Sequence, residues 1–287
     1  MKTIRLLYPD HLAGGLDTYY FGARLMAHIL PENPKQPLFQ VNIAAPDGKT
    51  HPITGGIAAK DDVFAGVRAA AKILDAECPD KIITIGGNCI VSLAPFDYLQ
   101  GVYAARGESL GILWIDAHPD VSIPQNGYPN AHAMVLGALL GQAGNPLAEL
   151  RRHPAFTADQ VLYIGLQALH DYQTDFLNRA GVDYQIQTEK FVENAEIQAL
   201  MSRFDHVLVH LDIDVLDAKH FHSTYFANPE LVGDGSGSGT MTLPELSDIL
   251  QFISAYGDTV GFTVAEYLPF DEHRLHELFK KVRILTE

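Results

Sequence analysis

Two aspartate-rich stretches contain the residue types best suited to bind a metal ion. The sequence D-A-H-P-D follows one apolar run of the chain, and D-I-D follows another. Alternate residues of an extended chain point to the same side, so each stretch is expected to present its polar side chains on one face. The side chains in question are Asp116, His118 and Asp120 in the first stretch and Asp212 and Asp214 in the second.

These carboxylates and the imidazole would repel one another or take up protons in a water-poor crevice, because an unneutralised buried charge is very costly. A divalent metal ion removes that conflict. Ligation dominated by oxygen with one or two nitrogens suits Mn²⁺ better than the sulfur-rich sets of structural Zn²⁺, so we expect manganese. The alternative is a set of ordinary loop and helix-cap carboxylates, which is disfavoured because each cluster directly follows an apolar, strand-like run.

Apolar runs rich in β-branched residues alternate along the chain with helical patterns. The predicted strands are residues 4–8, 39–44, 81–85, 111–115, 161–164, 206–211 and 259–264. The clearest predicted helices are residues 61–76, 131–140, 194–204, 243–256 and 272–282. This alternation indicates an α/β fold with a mainly parallel sheet that helices cover on both faces, and such sheets bind ligands at the carboxyl ends of their strands.

Composition limits the class of protein. The chain has 287 residues, 47% hydrophobic and 19% charged, which excludes disorder for most of its length and favours one domain over residues 1–287. A formal net charge of −15 disfavours nucleic acid and anionic membranes as partners. The chain has two cysteines and no apolar run long enough for a signal-peptide core or a membrane span, so we expect a cytoplasmic protein.

One segment is strongly biased in composition. Residues 233–239 read G-D-G-S-G-S-G and match neither the dinucleotide-binding motif nor the nucleophile-elbow motif. We interpret this segment as a mobile loop near the site in preference to a phosphate cradle.

Both aspartate stretches resemble motifs of the ureohydrolase family, which includes arginase, agmatinase, guanidinobutyrase and formimidoylglutamase. Residues 114–120 resemble the family motif D-A-H-x-D, and residues 210–218 resemble S-x-D-x-D-x-x-D-P. Residues 85–89 occupy the place of G-G-D-H, residues 130–132 that of N-x-H, and residues 264–269 that of E-x-x-P. The resemblance therefore runs from about residue 80 to residue 270.

The resemblance implies a three-layer αβα fold, two Mn²⁺ ions and a small guanidino or amidine substrate. A metal-activated hydroxide would attack the guanidinium or amidine-type carbon and hydrolyse a C–N bond. It also implies a homo-oligomer, either a trimer or a hexamer. By position in the motifs, the resemblance implies that Asp116 and Asp212 bridge the two ions. Asp120 and Cys89 would complete the site of one ion, and His118 and Asp214 that of the other.

Three further residues have implied roles in catalysis and substrate binding. His132 would move protons to and from the site, a task suited to an imidazole that titrates near neutrality. Glu266 would hold the substrate cation through charge-assisted hydrogen bonds. Asn130 would contact the substrate.

The chain departs from the family pattern at the first metal motif. Asn88 and Cys89 replace an aspartate and a metal-binding histidine, and a thiolate prefers softer ions than Mn²⁺. We therefore expect a different metal or weak filling beside Asp120, or else a buried Cys89 that is no ligand. His210 stands where the family has serine, and we interpret it as a residue that orients a carboxylate or fills space.

Two other functions remain open at this point. One is a deacetylase-like amide hydrolysis at a single metal ion, because Asp116, His118, Asp212 and Asp214 could bind one ion alone. The other is a non-catalytic protein that binds a ligand through a relic of the site. Arginine itself is a less favoured substrate, since residues 164–170 lack the carboxylates that the family's arginases use to read the amino-acid end.

Overall fold

A computed structural model describes residues 1–230 and 237–285. Its strands, β1 to β9 in chain order, are Thr3–Tyr8, Leu38–Gln40, Ile53–Thr54, Ile57–Ala58, Lys81–Gly86, Leu110–Ile115, Val161–Ile164, His206–Asp212 and Thr259–Ala265. Seven of them form one parallel sheet in the order β2-β1-β5-β9-β8-β6-β7. The remaining two, β3 and β4, form a short antiparallel hairpin.

Helices follow most of the sheet strands. The α-helices, α1 to α8 in chain order, are Thr18–Ile29, Lys60–Glu77, Leu93–Arg106, Val135–Leu139, Asp171–Ala180, Asn194–Met201, Leu243–Tyr256 and Phe270–Phe279. No helix in the two described segments is long and apolar enough to cross a membrane.

The apolar core lies in two layers, one on each face of the sheet. On one face, residues such as Phe64 of α2 and Phe96 of α3 pack against sheet residues that include Trp114. On the other face, Met26 of α1 and Ile249 of α7 belong to the layer built on the opposite side chains of the strands. The predicted three-layer αβα fold with a mainly parallel sheet is confirmed.

Local sequence explains why some elements begin and end where predicted. Helix α7 covers the predicted residues 243–256, because Thr242 accepts a hydrogen bond from the backbone of Glu245 and Glu245 bonds back to Thr242. The sequence analysis did not predict helix α3, although Gly107, with a positive φ of 73°, ends it in a common way. The first half of α3 is buried on all sides, so it lacks the alternation of apolar and polar faces from which a helix is predicted.

Four sequence predictions differ from the structure in extent. The strand predicted at residues 39–44 is only Leu38–Gln40: the backbone N–H of Val41 still donates to the carbonyl oxygen of Leu7, but the chain beyond it is a loop in which Ile43 is also buried. The helix predicted at residues 272–282 is Phe270–Phe279. The helix predicted at residues 194–204 ends at Met201. The helix predicted at residues 131–140 is a 3₁₀ turn followed by the short α4. Residues 233–236 of the glycine-rich segment lie outside the described residues.

Candidate metal centre and active site

The candidate site lies at the carboxyl ends of the four central strands. Cys89 follows β5, Asp116 follows β6, Asp212 ends β8 and Glu266 follows β9. These strands are neighbours in the sheet, in the order β5-β9-β8-β6, and all run parallel. Residues that are up to 177 positions apart in sequence are thereby brought to one edge, as the predicted sheet requires.

The chain bends after β6 and does not stay extended, so that part of the sequence prediction is wrong. The Asp116 carboxylate accepts a hydrogen bond from the backbone N–H of His118 at 2.6 Å, which turns the chain at once. Asp120 then adopts a positive φ of 52°. The three polar side chains converge because of this turn, and an alternating extended strand is not needed.

A second turn arranges the residues after β8. Asp212 accepts a hydrogen bond from the backbone N–H of Asp214 at 2.7 Å and caps a 3₁₀ helix that covers Ile213–Val215. The Asp214 carboxylate accepts a hydrogen bond from Nδ1 of His118 at 3.0 Å, which joins the two aspartate stretches. Nε2 of His118 lies 3.0 Å from the carbonyl oxygen of Gly237.

The potential metal-ligating atoms form overlapping groups, each with all its atoms within 4.8 Å of one another. The two groups that share Asp116 are Cys89, Asp116, Asp120 and His210, and Asp116, His118 and Asp214. A third group joins Asp212 to Asp214 and Glu266. The structure thus brings together all six ligands predicted from the sequence, and it adds His210, which the sequence interpretation did not count as a ligand.

The site is strongly electronegative. Burial raises the pKa values of Asp116, Asp120 and Asp212 above the usual range, and repulsion from neighbouring carboxylates raises them further. For His118, burial lowers the pKa, but the carboxylates of Asp214 and Asp116 outweigh burial and raise it to about 10. A site in which an imidazole is so strongly favoured as a cation also attracts a metal cation.

One carboxylate oxygen in this group has no partner. Oδ2 of Asp120 is buried and makes no hydrogen bond to any described residue. A buried polar atom left in this state costs about 1–3 kcal/mol, more if it is charged. The donor set of carboxylates, an imidazole and a thiol fits one or more divalent cations, and a bound cation would supply the missing partner.

Cys89 lies within this group as a buried thiol. Its Sγ donates to a carboxylate oxygen of Asp212 at 3.0 Å. Burial raises the pKa of the thiol, and the nearby charges of Asp120 and Asp212 add to the effect. The neighbouring Asn88 has a structural role, because its amide donates to Asp10 and its oxygen accepts from the backbone N–H of Ile90.

His210 is fully buried beneath the ligand group. Its ring stacks on Trp114 with centroids 3.8 Å apart, and its Nδ1 lies 2.7 Å from the hydroxyl oxygen of Ser92. Burial lowers the pKa of His210 to about 3, so the ring is neutral. Of the two roles expected for His210, orienting a carboxylate or filling space, the structure shows the second. Its Nε2 is 3.9 Å from Asp116, too far for a hydrogen bond, whereas Nε1 of Trp114 donates to that carboxylate at 3.0 Å.

Glu266 and His132 form a hydrogen-bonded pair beside the ligand groups. Nδ1 of His132 donates to Oε1 of Glu266 at 2.7 Å, and the hydroxyl of Tyr19 donates to Oε2 at 2.8 Å. The hydroxyl of Tyr128 lies 3.1 Å from Nε2 of His132. Sequence reasoning missed Tyr19, which is 247 residues from Glu266 and belongs to no recognisable motif.

These groups line the floor of a cavity of about 500 Å³, a volume typical of small-molecule sites. Asn130 lies on its wall, where its amide donates to the carbonyl of Gly14 at 3.4 Å. Tyr172, Tyr225 and Phe226 add aromatic side chains to the lining, and the ring of Phe226 lies 5.8 Å from that of His118, centroid to centroid. Among the described residues that line the cavity, none is lysine or arginine.

Gly87 positions the segment that carries Glu266. Its carbonyl accepts a hydrogen bond from the backbone N–H of Glu266 at 2.7 Å, and a β-carbon at this position would lie only 1.7 Å from the carbonyl oxygen of Asp10. We expect Gly87→Ala to lower the free energy of unfolding by about 3 kcal/mol or more, measured by urea denaturation.

The matched control for that variant is Gly107→Ala at the end of α3. A β-carbon there meets no atom within 4 Å, so only the positive φ of 73° opposes the change, which costs about 1–2 kcal/mol. Equal losses in the two variants would contradict the close approach of Gly87 to Asp10.

Comparison of the sequence with known proteins relates the chain to arginases. A sequence model of the arginase family matches residues 46–282. An arginase of Entamoeba histolytica is 28% identical over 205 residues, which are 68% of this chain and 64% of that protein. An arginase of Staphylococcus aureus is 24% identical over 219 residues, 71% of this chain and 65% of that protein. The chain thus spans slightly less than two thirds of the length of these two relatives.

Solved structures show the same fold. Arginase of Entamoeba histolytica in complex with L-ornithine has a TM-score of 0.74 at 18% identity, covering 93% of this chain and 91% of that one. Arginase of Bacillus caldovelox has a TM-score of 0.71 at 18% identity, with 94% and 92% covered. Formimidoylglutamase of Bacillus subtilis has a TM-score of 0.59 at 16% identity, with 93% and 78% covered.

Proposed function

The chain belongs to the arginase family, and on that premise we propose that it is a metal-dependent hydrolase of the ureohydrolase type. The proposed reaction is hydrolysis of a C–N bond at the guanidinium or amidine-type carbon of a small molecule. The observation that carries this proposal is the pair of ligand groups that share the buried Asp116, several members of which line one cavity together with the Glu266–His132 pair.

The residues that would hold the metal ions follow from these groups. We assign Cys89 and Asp120 to one position and His118 and Asp214 to the other, with Asp116 and Asp212 between them. The oxygen and nitrogen donors of the second position suit Mn²⁺. Divalent ions held there would lower the pKa of a water molecule and so supply the nucleophile at neutral pH.

The protein's own side chains would bind the substrate and move protons. The carboxylate of Glu266, held by the hydroxyl of Tyr19, faces the cavity and would bind the guanidinium cation by charge-assisted hydrogen bonds. Nδ1 of His132 donates to Glu266, beside the place proposed for the substrate cation, and His132 would deliver a proton to the departing nitrogen.

The cavity favours a small cationic substrate. Its lining includes carboxylates, and it also includes Tyr172 and Phe226, whose aromatic faces can contact a cation. The net charge of −15 supports the proposal that nucleic acid and membranes are not partners. A single domain over residues 1–287, a trimeric or hexameric assembly and a cytoplasmic location stay predictions.

The test is a substrate panel assayed with the purified protein, loaded in turn with Mn²⁺, Zn²⁺ and Co²⁺. Agmatine, guanidino acids, formimidoyl compounds and arginine are offered, and urea, formamide and ammonia are measured. We expect turnover of at least one of these compounds that EDTA abolishes. Turnover of acetylated amines alone would replace the proposal with deacetylase-like hydrolysis, and absence of all turnover in every metal-loaded form would overturn it.

A further inference from the structure

His210 is held rigidly beneath the metal-ligand group. It lies in β8, in register with Trp114 of β6 and Thr263 of β9, and its side chain is fully buried. The stack on Trp114 has an interplanar angle of only 10°, and the hydroxyl oxygen of Ser92 lies 2.7 Å from Nδ1. The ring orientation is therefore set before any ligand arrives.

The second ring nitrogen has no hydrogen-bond partner. Nε2 of His210 is buried and makes no hydrogen bond to a described residue. Because a serine hydroxyl can accept as well as donate, Nδ1–H can donate to Ser92, which leaves the lone pair on Nε2. A hydrogen bond from the other ring nitrogen, here to Ser92, fixes the orientation of a metal-ligating imidazole and raises its basicity.

This nitrogen is directed at potential metal ligands. It lies 3.9 Å from Oδ2 of Asp116, and His210 belongs to the group in which one ligand atom each of Cys89, Asp116, Asp120 and His210 lie within 4.8 Å of one another. Metal–ligand bonds of about 2.0–2.3 Å at tetrahedral angles place the ligands of one zinc ion about 3.3–3.8 Å apart, so shifts of up to about 1–1.5 Å would enclose an ion. Oδ2 of Asp120, also without a partner, is a second unpaired atom in the same group.

We propose that Nε2 of His210, together with the thiolate of Cys89 and the carboxylates of Asp116 and Asp120, forms a mixed sulfur, nitrogen and oxygen site that selects Zn²⁺ over Mn²⁺. A thiolate and an imidazole among four ligands favour zinc over the harder manganese ion. Cys89 stands after β5 where the family has a metal-binding histidine. In this proposal, His210 of β8 provides the imidazole in its place. This inference rests on the proposed function only in that both place divalent ions in this cavity.

The test is X-ray absorption at the zinc edge, measured on metal-free full-length protein given half an equivalent of Zn²⁺ and an excess of Mn²⁺. An edge measurement detects only the ligands of zinc. In the unchanged protein we expect one sulfur and one imidazole in the zinc spectrum. A zinc spectrum that lacks a sulfur ligand, a zinc spectrum that lacks an imidazole ligand, or displacement of bound zinc by manganese would each overturn the proposal.

Two variants identify the imidazole. His210→Ala is expected to remove the imidazole signal and to weaken Zn²⁺ binding about 100-fold or more. Loss of a residue that only hydrogen-bonds to a metal ligand weakens binding by about 10- to 100-fold, and loss of a ligand itself should cost at least as much. His118→Ala, the matched control, removes the imidazole of the other ligand group and should leave the zinc spectrum unchanged. Loss of the signal in His118→Ala in place of His210→Ala would overturn the assignment.

If His210→Ala fails to fold, His118→Ala and His132→Ala decide the assignment, because Cys89 also forms a ligand group with His132 and Glu266. An imidazole signal that persists in both of these variants is expected, and its loss in either one would overturn the assignment to His210. The outcome is also separable from the proposed hydrolase activity. A zinc site with sulfur and imidazole in a protein that turns over no panel substrate would uphold this inference and remove the proposed function. Turnover by a protein whose zinc lacks imidazole would do the reverse.

Discussion

Replacing Asp116 by asparagine is expected to lower turnover of the best substrate by at least about 10⁴-fold, because removal of both metal ions would remove the nucleophile. Asp116 is the residue shared by the group containing Cys89 and the group containing His118. The neutral amide keeps the size of the side chain but loses the charge that both positions need. Metal content per chain, measured by mass spectrometry, should fall at both positions.

Asp97→Asn is the matched control for that experiment. Asp97 is also a buried carboxylate, and it accepts hydrogen bonds from the backbone N–H groups of Arg152 and His153. It belongs to none of the ligand groups, so its replacement is expected to affect stability and to leave the metal content unchanged. An Asp116→Asn protein that retains two ions per chain would contradict the bridging role.

Replacing Glu266 by glutamine is expected to lower kcat/KM by about 10²–10³-fold while leaving the metal content unchanged. The amide can still accept a hydrogen bond from Tyr19 or His132, but it cannot neutralise a guanidinium cation. The loss should therefore appear in steady-state kinetics on the best substrate, without a comparable change in the thermal unfolding midpoint.

The matched control is Glu272→Gln at an exposed position of α8, which removes one negative charge outside the site. Solvent and salt screen the charge of an exposed carboxylate, so this change should alter kcat/KM by less than about twofold. If Glu266→Gln instead loses an ion, Glu266 acts as a metal ligand beside Asp212 and Asp214, and its assignment to the substrate is wrong. Measuring metal content and kinetics on one preparation separates these results.

Several features could be predicted from local sequence. The alternation of apolar runs and helical patterns predicted the αβα fold, because each element's periodicity reflects which of its faces is buried. The aspartates that follow β6 and β8 could be recognised as a potential metal site, since each motif is contiguous in sequence. The structure brings these residues together, with Cys89, as predicted.

Other features depend on pairs of residues far apart in the chain. The contact of Tyr19 with Glu266 joins positions 247 residues apart, and no local pattern predicts it. The positive φ of Asp120 and the turn after Asp116 replaced the predicted extended edge, because side-chain to backbone hydrogen bonds overrode the alternation of a strand.

The sequence alone sufficed for the seven strands of the sheet, the layers and the residue types of the candidate site, but not for every helix. The sheet order β5-β9-β8-β6, which is not the order of the strands in sequence, decided which side chains became neighbours. It placed the unpaired nitrogen of His210 opposite Cys89 and Asp120, where the sequence indicated only a histidine beside a metal ligand. Periodicity reports which face of a strand is buried, whereas the partners on that face depend on packing between strands.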